Sequence, residues 1–115
     1  MKILKKNNFI ESIANALQYI SYYHSEDFIL AMRRAFEVEK SPVAKDAISQ
    51  VLTNSKLSAF NNRPICQDTG IVTVFVKQGM DLKWDSDKTI EEMVNQGVRN
   101  AYLDKGNPLR ASIVK

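Results

Sequence analysis

Apolar residues recur at helical spacing through most of this chain. Phe9, Ile10, Ile13, Leu17 and Ile20 fall on one face, which predicts an amphipathic helix over roughly residues 8–23. Phe28, Ile29, Met32, Ala35 and Phe36 mark the buried stripe of a second helix. Ser25 is its N-cap, with Glu26 and Asp27 well placed against the helix dipole. Ser41 followed by Pro42 supplies a cap and then a proline at the first helical position. Ala44, Ala47, Ile48, Val51, Leu52 and Ser55 give this third helix its inward face. Thr89-Ile90-Glu91-Glu92 fits the capping box, in which threonine and the last glutamate bond back reciprocally. Ile90, Met93, Val94, Val98, Ala101 and Tyr102 follow on one face of a fourth helix, which Gly106 and Pro108 bring to a stop.

The period changes after the third helix. Helical character ends before Asn61-Asn62, and Pro64 biases Arg63 toward extended geometry. Residues 71–76 are β-branched and nearly all apolar, as in a strand covered on both faces. Lys77-Gln78-Gly79 reads as a turn, and residues 80–84 as a short edge strand pairing back. The fold class is therefore α+β: predominantly helical, with about four helices and a small β portion around residues 71–84. Residues 112–115 end the chain on an apolar segment with no closing element, so it reads as a fragment of a larger domain.

Bulk properties exclude several classes. The 115 residues are one domain's worth of chain, and 44% hydrophobic with 25% charged is ordinary for a globular protein. The longest apolar run falls far short of the roughly 18 residues a membrane span needs. Residues 1–6 are basic and partly apolar, but Asn7, Asn8 and Glu11 break any signal-peptide core. The net charge of +3 is dispersed, with no aromatic-interleaved basic stripe, which argues against nucleic acid. A single cysteine allows no internal disulfide, in keeping with a reducing, cytoplasmic setting. His24, the only histidine, reads as a solvent-facing linker residue, and Tyr19, Tyr22 and Tyr23 as packing or interface residues.

The candidate chemistry lies in residues 63–70, Arg-Pro-Ile-Cys-Gln-Asp-Thr-Gly. A soft thiolate donor, an amide and a carboxylate occupy three consecutive positions between Pro64 and Gly70. Gln67 and Asp68 are costly to bury unless something bonds them. Thr69-Gly70 permits a tight turn with positive φ that brings backbone close to a ligand. On residues alone two readings stand: a ligand-delivering loop, or a surface turn with an inert small cysteine.

Pro-Ile-Cys-Gln-Asp-Thr-Gly resembles the signature of the class I, iron–sulfur fumarate hydratases and of the related L-tartrate dehydratase alpha subunits. The helix with Ala47, Leu52, Asn54 and Ala59 leading into it is also similar, as are the apolar strand after it, the Gly97-Val98 helix and Asn107-Pro108-Leu109-Arg110 with Ser112 beyond. The likeness runs from about residue 41 to 114 and, weakly, through the helices before it.

The resemblance implies a 4Fe–4S cluster held by three cysteines, of which Cys66 matches the first. It implies that Gln67, Asp68 and Arg110 bind substrate, with Asp68 also the acid that protonates departing hydroxide and Arg110 pairing with a substrate carboxylate. Arg63, Thr69 and Gly70 shape the loop. The reaction implied is reversible hydration of fumarate to L-malate.

The two other cluster cysteines are missing here, and the family's base comes from a C-terminal beta domain or a separate beta subunit. Residues 1–115 are accordingly expected to be an incomplete N-terminal portion of the alpha, cluster-binding domain, inactive alone. Partners implied are fumarate and malate, the remaining alpha domain, the beta part and a further copy of the chain as a homo-oligomer; neither nucleic acid nor a membrane is expected. The alternatives are an L-tartrate dehydratase alpha-subunit fragment, or a non-enzymatic helical interaction module in which Cys66 is structural.

Overall fold

The structure is a computed structural model that describes residues 1–66, 70–103 and 109. Among these, the order is β1 (Lys2–Lys5), α1 (Lys6–Tyr22), α2 (Glu26–Val38), α3 (Pro42–Asn61), β2 (Leu82–Asp85) and α4 (Ile90–Leu103). Four helices and one small sheet agree with the mainly helical α+β class read from the pattern. The chain divides into two compact units: Met1–Gln18 with the described residues of Asp68–Lys115, and the described residues of Tyr19–Gln67.

The first unit holds the sheet. β1 and β2 pair in parallel, with Lys2 opposite Leu82 and Lys5 opposite Asp85. Leu82 closes a turn by donating its N–H to the Gly79 carbonyl (3.3 Å), and Lys2 N–H reaches Asp81 O (3.0 Å). Trp84 anchors the strand: its ring meets Phe9 edge-on, with centroids 4.9 Å apart, and its indole N–H donates to Gln78 (3.0 Å). Lys6 donates to Asp87 at 2.7 Å, holding that exposed carboxyl below the usual carboxylate range. Ile10, Leu17, Met93, Ala101 and Leu109 are buried here.

Gly97 is buried where α4 lies against α1. A methyl group there would sit 2.6 Å from Ile13 Cγ2 and 3.0 Å from the Ile10 carbonyl oxygen. Only a glycine permits that approach.

The capping box at α4 is fully formed. Thr89 N–H donates to Glu92 Oε2 (2.8 Å) and Glu92 N–H to Thr89 Oγ1 (3.2 Å). Thr89→Ala is expected to lower the unfolding free energy by about 1 kcal/mol, read as an earlier urea midpoint at unchanged slope. An unmoved midpoint would show that the box contributes nothing.

In the second unit α2 packs on α3. Ser41 caps α3, accepting from Ala44 N–H at 3.4 Å, and Pro42 takes the first position. Ser25 occupies the N-cap of α2 in extended geometry, but its side chain bonds Asp27 instead of capping the backbone. That bond and the Phe28 N–H (2.9 Å) hold the Asp27 carboxyl below its ordinary range. Most of the α2 stripe is only half-buried, and Phe36 is exposed beneath the Lys45 ammonium at 4.7 Å.

Three expectations fail. Residues 71–76 form no strand: Ile71 is 94% exposed and Phe75 93%. Strand propensity needs a ladder partner, and β2 pairs with β1 instead. The basic start, by contrast, is a strand. Ile20 is exposed, and Tyr22 takes the buried position two residues on, where burial pushes its phenol up from the ordinary value. No helix among the described residues is long and apolar enough to cross a membrane.

Candidate functional site

The loop that carries Cys66 begins where α3 stops. Asn62 adopts the left-handed conformation (φ 50°, ψ 53°), which an asparagine tolerates better than most residues, and its N–H returns to Ser58 O. The next N–H, that of Arg63, donates to the same Ser58 carbonyl at 3.0 Å. Tyr23, at the end of α1, donates its hydroxyl to Asn62 Oδ1 (3.3 Å) and stacks on Tyr19 with centroids 4.7 Å apart. The stop signal predicted around residues 61–64 is thus real, and its side-chain partner is the residue just beyond α1.

Pro64 then fixes one torsion of the loop, and Ile65 is bonded at both backbone polar atoms. Its N–H donates to Ser21 O (2.9 Å), and its carbonyl accepts from the Asn54 side-chain amide (2.8 Å). Cys66 follows directly, exposed and in no disulfide. Gly70 adopts φ +63° in open space, so its dihedral, not crowding, calls for glycine. The positive φ expected near Thr69-Gly70 is therefore found at Gly70.

His24 is not a solvent-facing linker residue. Its Nδ1 lies 2.9 Å from Ser55 Oγ and its ring stacks on Phe28 at 4.3 Å, which fastens the start of α2 to α3. Ser55 and Ser58 are both buried on that side of α3. Sequence reasoning missed this pairing because a lone histidine between two helices carries no periodic signal. It also missed any role for Asn54. The signal available was an asparagine inside a helix, where it is a weak former unless its side chain has a partner.

Gln67, Asp68 and Arg110, expected to bind substrate, lie outside the described residues. Of the predicted site residues, the structure therefore places Cys66 alone. Its donor chemistry suits an iron–sulfur cluster as one thiolate ligand. Among the described residues no group of three or more histidine, cysteine or acidic side chains is placed to hold a metal ion. The chain fits such a cluster as the donor of one ligand, not of a full set.

Comparison with known proteins bears on most of the chain. The family model described as fumarate hydratase (Fumerase) matches residues 10–115. A Methanocaldococcus jannaschii protein provisionally named L(+)-tartrate dehydratase subunit alpha is 32% identical over 92 residues, 80% of this chain and 32% of that protein. The L(+)-tartrate dehydratase subunits alpha of Escherichia coli (strain K12) and Shigella sonnei are each 28% identical over 109 residues, 95% of this chain and 35% of those proteins. The chain thus spans about a third of the length of these curated relatives. No solved structure gives a significant match.

Proposed function

Because the chain belongs to the fumarate hydratase (Fumerase) family, we propose that it is part of a hydro-lyase that adds water reversibly to fumarate, giving L-malate. The observation that carries this reading is the loop at Cys66. An exposed thiol directly follows a residue bonded at both its N–H and its carbonyl, inside the matched region. In this reading Cys66 supplies one thiolate to a 4Fe–4S cluster, and the two further thiolates come from the rest of the alpha domain. When bound, the cluster supplies an open iron that acts as a Lewis acid on the substrate hydroxyl and a carboxylate.

The other roles fall to neighbouring residues. Arg110 offers a bidentate, charge-assisted pair to a substrate carboxylate, and Gln67 orients the same substrate. Asp68 donates the proton that turns departing hydroxide into water. An ordinary aspartate titrates near 3.9, so this role requires surroundings that raise it. The base that takes the carbon-bound proton comes from the beta domain or subunit. Residues 1–115 are then the N-terminal portion of the alpha domain, cytoplasmic and part of a homo-oligomer.

The names of the curated relatives favour a second reading within the same chemistry, dehydration of L(+)-tartrate. One experiment serves both. The chain is assembled anaerobically with the remaining alpha and beta parts, given fumarate, L-malate and L(+)-tartrate, and compared with Cys66→Ser. The expected result is turnover that disappears, together with the cluster's visible absorbance, in the serine variant. The better substrate selects between the two readings. Turnover and absorbance that survive Cys66→Ser would remove the ligand role of Cys66 alone, whereas no turnover and no absorbance in either form would sink both readings and leave Cys66 as a structural residue.

A further inference from the structure

Ile65 is held from two directions by separate helices, its N–H in the Pro64–Ile65 peptide and its carbonyl in the Ile65–Cys66 peptide, and only the bond to the carbonyl comes from a side chain. Ile65 N–H reaches the Ser21 carbonyl in the last turn of α1, at 2.9 Å. Carbonyls in a last helical turn have no partner within their own helix, so this bond satisfies one of them. On the other side the Asn54 amide donates to Ile65 O at 2.8 Å, across 11 positions of sequence.

Pro64 has already fixed its own φ, so the soft torsion just before Cys66 is ψ of Ile65. That torsion decides where the Ile65 carbonyl points, and the carbonyl is what Asn54 holds. Asn54 is itself well placed to hold it. Its neighbour Ser55 is buried and bonded to His24, so this turn of α3 is tied to the start of α2. An asparagine within a helix gives up helix propensity relative to alanine, and here its side chain makes a tertiary bond in exchange.

We propose that Asn54 is the positioning residue for Cys66: its amide fixes the plane of the peptide from which the thiol projects, so the ligand is delivered in one orientation. The purpose of this clamp rests on the reading of Cys66 as a cluster ligand. The clamp itself rests on two distances within one compact unit.

The single cysteine makes the test direct, because a nitroxide attached to Cys66 labels the loop and nothing else. Label mobility and hydrogen exchange at the Ile65 amide are compared in the full chain, in Asn54→Asp and in Ser55→Ala. Asn54→Asp keeps the side chain's shape but replaces the donor with an acceptor that faces the carbonyl. Ser55→Ala removes a bond from the adjacent position of α3 without touching the loop, and so reports what loosening the helix alone does.

The expected result is Ile65 exchange roughly 3- to 10-fold faster in Asn54→Asp, the range set by losing one neutral hydrogen bond. The nitroxide spectrum narrows, α2 amides keep their protection, and Ser55→Ala changes neither loop readout. If Asn54→Asp does not fold, Asn54→Ala, which raises helix propensity, carries the same comparison. An unchanged Ile65 rate and spectrum, or equal changes in Ser55→Ala, would overturn the positioning role. That outcome would leave the hydro-lyase reading standing, since the latter depends on turnover by the assembled parent protein; loss of the hydro-lyase reading would equally leave the clamp measurable.

Discussion

Met93→Ala is expected to cost about 2–5 kcal/mol of unfolding free energy, the range for emptying a buried methionine site. Among the described residues Met93 is the largest side chain with no residual exposure, at 0%. In the same unit Ala101 is also at 0%, while the larger Ile10 at 8% and Leu17 at 7% still touch solvent. Total stability for a domain is about 5–15 kcal/mol, so the variant approaches the edge of folding. Urea unfolding measures the loss, and Met93→Leu, which conserves volume, should stay within about 1.5 kcal/mol of the parent. A loss below about 1 kcal/mol for the alanine variant would mean that α4 does not depend on this residue.

Gly97→Ala is expected to destabilise by about 1–3 kcal/mol, opposite in sign to what helix propensity alone predicts. On an exposed helix the same change is favourable by about 1 kcal/mol, because glycine gives up more backbone freedom than alanine. Here the added methyl group meets Ile13 Cβ at 2.7 Å and the Ile10 carbonyl at 3.0 Å. Neither is the far end of a flexible side chain, so relief requires α1 and α4 to move apart. Combining the change with Ile13→Gly, which removes both Ile13 atoms the methyl group meets, separates the causes: if crowding is responsible, the pair couples and much of the penalty from alanine at position 97 disappears. A more stable Gly97→Ala chain would refute the close approach.

The helices were legible because their signals are local. Thr89 and Glu92 sit three residues apart and need no distant partner to form their box. Ser41-Pro42 likewise carries its own start signal. Of the sheet only β2 was legible, as the short strand read over residues 80–84; β1 was not, because it is a four-residue lysine-flanked segment whose partner among the described residues, β2, lies far along the chain. Residues 71–76 were misread for the converse reason. Their β-branched character describes what they can do, while strand formation depends on an edge to pair with.

The candidate site divides along the same line. Cys66 and the positive φ of Gly70 follow from composition and from proline and glycine punctuation. The Asn54 bond to Ile65, the Tyr23 bond to Asn62 and the His24–Ser55 pair are tertiary events between residues that share no period. No reading of neighbours along the chain reveals them.

The parallel pairing of β1 with β2 also sets a schedule for synthesis. Lys2 lies opposite Leu82, so the first strand must wait for 82 − 2 = 80 further residues before its ladder can close. At about 5–20 residues per second, that is roughly 4–16 seconds on the ribosome. Helices form in about a microsecond, so α1, α2 and α3 can take shape while Lys2–Lys5 is still without its partner. The nascent chain therefore carries an open strand edge throughout translation of the Cys66 loop. A chaperone that grips extended apolar-basic segments has its opportunity in that interval, and loses it once Leu82–Asp85 emerges.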